Sequence, residues 1–152
     1  MSEASLVQLV AIDADNRALA LALAPKPEQK HFVASNAYSL DQAAGSDACV
    51  PLLIVAHGEA VGFAMYALEP EDGHYWIYRM MVDARHQGKG YGTAAITALT
   101  KLIFDTTNCP LIALDVKPEN VIARRLYESA GFVDAGYEIE GEPVMHLYNP
   151  AG

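Results

Sequence analysis

Arg85-His86-Gln87-Gly88-Lys89-Gly90-Tyr91-Gly92-Thr93 lies between an apolar run ending near Val82 and a helical pattern in which Ile96, Leu99 and Ile103 recur. A helix start presents unpaired backbone N–H groups and the positive end of the helix dipole, so it favours an anion. Alternate glycines let the backbone turn and approach a phosphate with no Cβ in the way. Arg85 and Lys89 place two of the chain's ten basic side chains in this stretch. Local basic charge beside exposed amides, in a chain of net charge −9, points to a polyanionic ligand. An ordinary glycine-rich turn is the plain alternative.

Upstream of this loop the period is that of strands. Leu52–Ala56 and Val61–Tyr66 flank His57-Gly58-Glu59-Ala60 as a hairpin, and Glu69–Gly73 is a second turn leading into Tyr75–Val82. That last run is apolar on both faces apart from Arg79, as in a central strand covered on both sides. Further back, Leu6–Ile12 reads as a short strand, and Asp13–Leu23 and Glu28–Ala44 read as helices. Downstream, a helix to about Phe104 precedes a strand, Leu111–Val116, with Ile112, Leu114 and Val116 on one face and Asp115 on the other. Pro118–Ala130 reads as a helix closed by Gly131, and Phe132–Ile139 and Pro143–Tyr148 as a hairpin around Glu140-Gly141. The order β, α, α, β-β-β, α, β, α, β-β predicts one α/β domain over residues 1–152, a mixed sheet flanked by helices.

Composition narrows the function. Ten Lys+Arg against nineteen Asp+Glu disfavour a broad nucleic-acid-binding face. The same balance suits a cationic partner such as an amine. Cys49 and Cys109 form no CxxC, which argues against a disulfide framework or a Cys-rich zinc site and fits a reducing compartment. The histidines lack a metal-binding spacing, so no metal is expected. No run approaches the ~20 apolar residues of a membrane span, and the N-terminus has no secretory pattern. The expected address is cytoplasmic.

Two ligand types compete for the glycine loop. Gly90-x-Gly92-x-x-Ala95, with Asp115 ending the next strand, matches a dinucleotide fingerprint in form. That fingerprint needs its first glycine directly after the strand, whereas Asp83–Gln87 intervene here. It also needs repeated βαβ units, which the run of strands upstream does not supply. The loop instead resembles the acyl-CoA pyrophosphate loop of the GNAT N-acetyltransferases, Q/R-x-x-G-x-G/A, here Gln87-Gly88-Lys89-Gly90-Tyr91-Gly92. A second motif strengthens the resemblance: Leu114-Asp115-Val116, then Asn120-x-x-Ala123-x-x-Leu126-Tyr127, then Gly131-Phe132. It is close over Val61–Phe132, and the order of elements agrees along the chain.

The resemblance implies a GNAT fold: a mostly antiparallel sheet of about seven strands with about four helices, whose strands Tyr75–Val82 and Leu111–Val116 run parallel and splay apart. It implies acetyl-CoA as cofactor, with the pantetheine arm on the backbone near Met80 and Val82. The pyrophosphate falls on the amides of Gln87, Gly88, Lys89, Gly90, Tyr91, Gly92 and Thr93. Asn120 and Ala123 come beside the arm.

Transfer of an acetyl group to an amine needs a neutral amine, a polarised carbonyl and a proton for the leaving thiolate. The resemblance gives the last task to Tyr127, whose phenol is protonated at neutral pH; without the motif, a helical tyrosine packed on the sheet is the plain reading. Asn120, Ala123 and Tyr127 fall at i, i+3, i+7, and Tyr127 borders a stripe of Ile122, Leu126 and Ala130. Asp115, the one ionisable side chain within Leu111–Val116, is the candidate general base. Its placement relative to Asn120 matches the base of relatives that acetylate ribosomal-protein N-termini. A solvated or salt-bridged carboxylate is the other reading of Asp115.

His31–Leu40 and Tyr75–Arg79 are similar to the bacterial spermine/spermidine (diamine) acetyltransferase branch. Because the N-terminal helices of this fold line the acceptor site, Glu28, Asn36 and Tyr38 become substrate-binding candidates. The acidic turn adds Glu69, Glu71 and Asp72, whose charge would steer a polyamine, with a merely solvated turn as the plain alternative. Trp76 and Tyr78 read as core or tunnel wall. A small polyamine is the first acceptor; a protein N-terminus or lysine is the alternative, and a non-catalytic acyl-CoA sensor is the rival from another class. Relatives often form dimers, which leaves a homodimer open.

Overall fold

The glycines and their neighbours shape the sheet first. His57 and Gly58 both adopt positive φ (52° and 75°), as do Glu140 and Gly141 (52° and 81°). Two successive left-handed residues make the tight turn whose twist matches an antiparallel pair. In the computed structural model, which describes residues 6–151, the first turn joins β2 (Cys49–Ala56) to β3 (Glu59–Leu68) and the second joins β6 (Val133–Ile139) to β7 (Glu142–Tyr148). The other elements are β1 (Gln8–Ala11), α1 (Arg17–Leu21), a 3-10 helix (Pro27–Phe32), α2 (Asn36–Ala44), β4 (Tyr75–Val82), α3 (Tyr91–Thr107), β5 (Leu111–Asp115) and α4 (Val121–Ser129). The strands form one sheet in the order β1-β2-β3-β4-β5-β7-β6. All neighbours are antiparallel except β4 and β5. This is the mixed α/β sheet the sequence predicts, and it removes the doubly wound dinucleotide alternative.

Strand alternation divides the core between two faces. On one, Ile96, Leu99 and Ile103 of α3 and Tyr127 of α4 pack on Leu52, Ile54, Ala64, Ile77, Ile112 and Leu114. On the other, Ala20, Leu23 and Leu40 cover Leu53, Phe63, Met65 and Met81. Burying a Leu, Ile or Phe side chain stabilises by about 1.5–3 kcal/mol, so each layer is strongly held.

Three helix boundaries differ from the sequence reading. The stretch Glu28–Ala44 is not one helix: Val33 is extended, and the Ser35 hydroxyl accepts from the Tyr38 N–H at 3.1 Å to start α2 afresh. The stretch Asp13–Leu23 shortens to α1, because the Asp13 carboxylate accepts from the N–H groups of Asp15 (2.9 Å) and Asn16 (3.0 Å) and forms a turn instead. The stretch Pro118–Ala130 starts at Val121, where Asn120 accepts from the Ala123 N–H at 3.3 Å. The inner face of α4 is also turned from the expected stripe. Ile122 is 75% exposed, while Ala123, Leu126, Tyr127 and Ala130 pack inward.

Candidate active site

The strands β4 and β5 pair only through Tyr75↔Ile112 and Trp76↔Ala113. Beyond that point they separate. A bulge helps: Met65 registers with Arg79 and Tyr66 with Ile77, so Tyr78 has no partner on β3 and the strand bends there. Arg79 fixes the bend by donating to the Tyr78 carbonyl (2.7 Å), the Ser39 hydroxyl (3.0 Å) and the Gln42 carboxamide (2.9 Å). A cleft of about 710 Å³ opens in the gap, walled by Ile77–Val82 on one side and by Leu114–Lys117 with α4 on the other.

At one end of the cleft lies the glycine loop. Gly88 and Gly90 have φ of 80° and 83°, and no side chain caps the start of α3 at Gly90. The first α3 amide bonded to a carbonyl within the helix is Ala94, to Gly90 at 3.1 Å. The amides of Tyr91, Gly92 and Thr93 therefore start the helix as free donors beside the cleft, a geometry made for phosphate oxygens. Beneath the loop, the buried Asp83 carboxylate accepts from the Ala24 N–H (3.0 Å), the Arg85 N–H (3.1 Å) and Arg85 Nε (2.8 Å). Burial alone would raise that carboxyl; these bonds and the guanidinium charge hold it below its ordinary value. Gln87 donates to the Val82 carbonyl (3.0 Å) and pairs with Gln29, bracing the loop from inside.

The opposite end carries the titratable groups. Tyr127 is 9% exposed, lies edge-on to Phe132 at 5.9 Å, and lines the cleft. Burial, aided by the nearby Asp115 charge, pushes its phenol up to about 12, so it holds a proton at any ordinary pH. Asp115 reaches the water of the cleft, yet the cleft walls strip part of its hydration and raise its carboxyl, and the charge of Glu142 adds to this. Arg79 and Lys117 oppose the rise. A raised carboxylate is a better proton acceptor than an ordinary aspartate.

Of the residues singled out from the sequence, Met80, Val82, Gln87, Gly88, Gly90, Tyr91, Gly92, Thr93, Asp115, Asn120, Ala123 and Tyr127 all line this one cleft. Lys89 does not, and Arg85 spends its guanidinium on Asp83, so the basic patch is weaker than its residue count suggests. None of the six acceptor-side candidates lines the cleft. Asn36 is 6% exposed and donates to the Ala20 (2.7 Å) and Leu23 (3.3 Å) carbonyls, joining α1 to α2. Tyr38 is 61% exposed and stacks under the Arg79 guanidinium at 5.9 Å. Glu28 is exposed on the 3-10 helix, and Glu71 on its turn. Glu69 accepts from the Tyr78 hydroxyl at 2.6 Å, and Asp72 from the Trp76 indole at 2.9 Å. The acidic turn is a brace for the aromatic side chains of β4.

The sequence reading missed Glu142 and Lys117, while His86, within the glycine stretch, takes a place in the cleft wall. It is buried there, with Nε2 3.6 Å from the Glu59 carboxylate. Glu142 enters because Asp115 registers with Val144, and the Val116 N–H donates to the Pro143 carbonyl at 3.1 Å. Alternation then sets Glu142 on the same sheet face as Asp115. The signal lies in how β7 inserts between β5 and β6, which no local pattern contains. Among the described residues, no group of three His, Cys, Asp or Glu is arranged to hold a metal, and no helix is long and apolar enough to cross a membrane.

Residues 15–132 match the sequence profile of the acetyltransferase (GNAT) family. A spermine/spermidine N(1)-acetyltransferase of Bacillus subtilis is 34% identical over 146 residues, covering 91% of this chain and 96% of the relative. An aminoglycoside N(6')-acetyltransferase of Klebsiella pneumoniae is 30% identical over 101 residues, 59% of this chain and 50% of the relative. Among solved structures, an aminoglycoside acetyltransferase in complex with coenzyme A superposes with a TM-score of 0.79 at 22% identity, over 95% of this chain and 96% of that one. The spermidine N-acetyltransferase of Vibrio cholerae, in complex with coenzyme A and spermine, gives a TM-score of 0.74 at 20% identity over 95% and 96%. With the splayed parallel pair, the uncapped glycine helix start and the profile match all on one chain, this protein belongs to the acetyltransferase (GNAT) family and is an acyl-CoA-dependent N-acetyltransferase.

Proposed function

We propose that the chain acetylates a primary amine of a small polyamine or diamine, with acetyl-CoA as donor. The observation that carries this is the single cleft holding free helix amides at one end and a neutral phenol with a raised carboxylate at the other. The residues fit the cofactor: Gly88 and Gly90 take conformations that leave open space where a Cβ would stand, beside unpaired amides. Acetyl-CoA supplies an acyl group already activated as a thioester. The amides of Tyr91, Gly92 and Thr93 bind phosphate oxygens, and Met80 and Val82 offer strand backbone along the gap. The Val82 carbonyl is already engaged by Gln87, so its N–H is the group left for that role.

Asp115 accepts the proton an ammonium must lose before it attacks, directly or through one water. Tyr127 holds its proton on the phenol oxygen for the departing sulfur. The Bacillus relative supports a polyamine acceptor, and the acidic character of the chain suits a cation. Free Cys49 and Cys109 support a reducing, cytoplasmic setting. A homodimer belongs to this reading too, supported by Val133, Tyr137, Ile139 and Tyr148, which stand exposed on β6 and β7. A sedimentation mass of one chain at micromolar concentration would remove that part.

The test is free-thiol release from acetyl-CoA across putrescine, spermidine, spermine, a monoamine, an aminoglycoside and a peptide with a free N-terminus and a lysine. Release with the aliphatic polyamines at the highest kcat/KM is expected. Release confined to the peptide or the aminoglycoside overturns the acceptor assignment, and acetyl-CoA binding with no release from any amine makes the chain a sensor.

A further inference from the structure

Lys117 and Glu142 both line the cleft, two residues from Asp115 and from Val144 respectively. Lys117 Nζ lies 3.5 Å from Glu142 Oε1, with 36% and 26% of the two side chains exposed. The Glu142 carboxylate is the one nearest in register to Asp115, and it sits on the same face of the sheet. Lys117 is an ammonium on a flexible four-carbon stem, compact and easily moved. It therefore presents to Glu142 the same group, on a similar tether, that the far end of an aliphatic diamine would present.

We propose that Glu142 is the specificity-determining residue for a second positive charge on the acceptor, and that the Lys117 ammonium is a built-in competitor that a diamine displaces. The inference rests on the small-polyamine reading above. With one amine held at Asp115, the second ammonium exchanges with Lys117 at Glu142. A monoamine leaves the Lys117–Glu142 pair in place and gains nothing from Glu142. The pair also keeps Glu142 from being an uncompensated charge in a partly buried wall when no acceptor is bound. Arg79 is the other cation near Asp115, but its three donated bonds to Ser39, Tyr78 and Gln42 fix it, so it does not exchange. The neighbouring acids, Glu69 and Asp72, are bonded to Tyr78 and Trp76 and do not line the cleft.

The experiment compares putrescine with butylamine, the same carbon chain bearing two charges or one, in thiol-release kinetics. Wild type is expected to favour putrescine in kcat/KM. Glu142→Gln, which keeps the shape, is expected to raise the putrescine KM about tenfold and the butylamine KM less than about threefold. Lys117→Met, which keeps the stem and removes the competitor, is expected to lower the putrescine KM about threefold relative to that of butylamine, since its effect through the Asp115 carboxyl falls on both amines alike and cancels in the ratio. An acetyl-CoA KM within about twofold of wild type certifies that each variant is folded and its cofactor end intact. Wild type that acetylates no di- or polyamine overturns the acceptor reading, and this inference with it. Wild type that acetylates putrescine while Glu142→Gln keeps the putrescine-to-butylamine ratio overturns this inference alone. A Lys117→Met variant whose acetyl-CoA KM rises and whose putrescine KM does not fall assigns Lys117 to cofactor phosphates and overturns the competitor role.

Discussion

The loop at residues 87–93 and the wall formed by residues 115–117, 127 and 142 face the same cleft but are made of different material. The loop offers backbone: amides at a helix start, positive-φ glycines, and a clamp of Asp83 and Gln87 beneath. The wall offers side chains: a carboxylate raised by its surroundings, a second carboxylate, a lysine and a buried phenol. Backbone recognition of phosphate depends on the chain's local path and tolerates many side chains. Recognition of a cation depends on which side chains tertiary structure brings together. A family can therefore keep its cofactor end while its acceptor end changes.

Breaking the phenol gives the largest effect. Tyr127→Phe removes the proton and keeps the ring against Phe132, so kcat is expected to fall about 10²-fold or more while the acetyl-CoA KM stays within about twofold. Turnover unchanged from wild type would move the acid role off Tyr127. Asp115→Asn comes next, with a loss of about 10–100-fold at pH 7. Because burial and Glu142 raise the Asp115 carboxyl, the wild-type kcat/KM rises with pH through a step above the ordinary aspartate range, and Asp115→Asn loses that step. The sign for stability is the opposite. A carboxyl raised on folding favours the folded state below its unfolded value and loses that contribution as pH rises through the folded one. Asp115→Asn is therefore expected to melt higher than wild type at pH 7, with no such gain near pH 3. A lower melting temperature at pH 7 would contradict the desolvated carboxylate.

On the backbone side, Gly90→Val forces a β-branched residue to φ near 83°, at about 1–2 kcal/mol or more. The acetyl-CoA KM is expected to rise about tenfold, and the ratio of putrescine to butylamine to stay as in wild type. A change in that ratio would show that the two ends are not separable.

The same division explains what the sequence made legible. The loop, the central strand Tyr75–Val82 and the i, i+3, i+7 placement of Asn120, Ala123 and Tyr127 are local patterns, and each lies on the cleft. The break at Val33–Ser35 was hidden because alanine-rich stretches carry helix propensity without a face, and one serine cap decides the boundary. The inner face of α4 is turned by one residue from the expected stripe, since Ile122 reads as core but sits over the open gap. Glu142 lies beyond any local pattern: its place follows from β7 lying between β5 and β6.

The smallest effects should come from the acids that charge alone made attractive. Glu28 is exposed on the 3-10 helix and does not line the cleft. Glu28→Gln is expected to leave the putrescine KM within about twofold, because an isolated surface charge in high dielectric is worth little and salt screens it. Glu69→Gln should lie between Glu28→Gln and Glu142→Gln. Its carboxylate holds the Tyr78 hydroxyl at 2.6 Å, and Tyr78 lines the cleft opposite Asp115, so the loss is one of wall position. The diagnostic is salt: a shift in KM from lost wall position persists at 0.5 M NaCl, while one from lost steering fades. If Glu28→Gln and Glu142→Gln shift the putrescine KM equally and both shifts fade with salt, the acceptor is selected by the field of the whole acidic surface, and the side-chain wall has no special part in it.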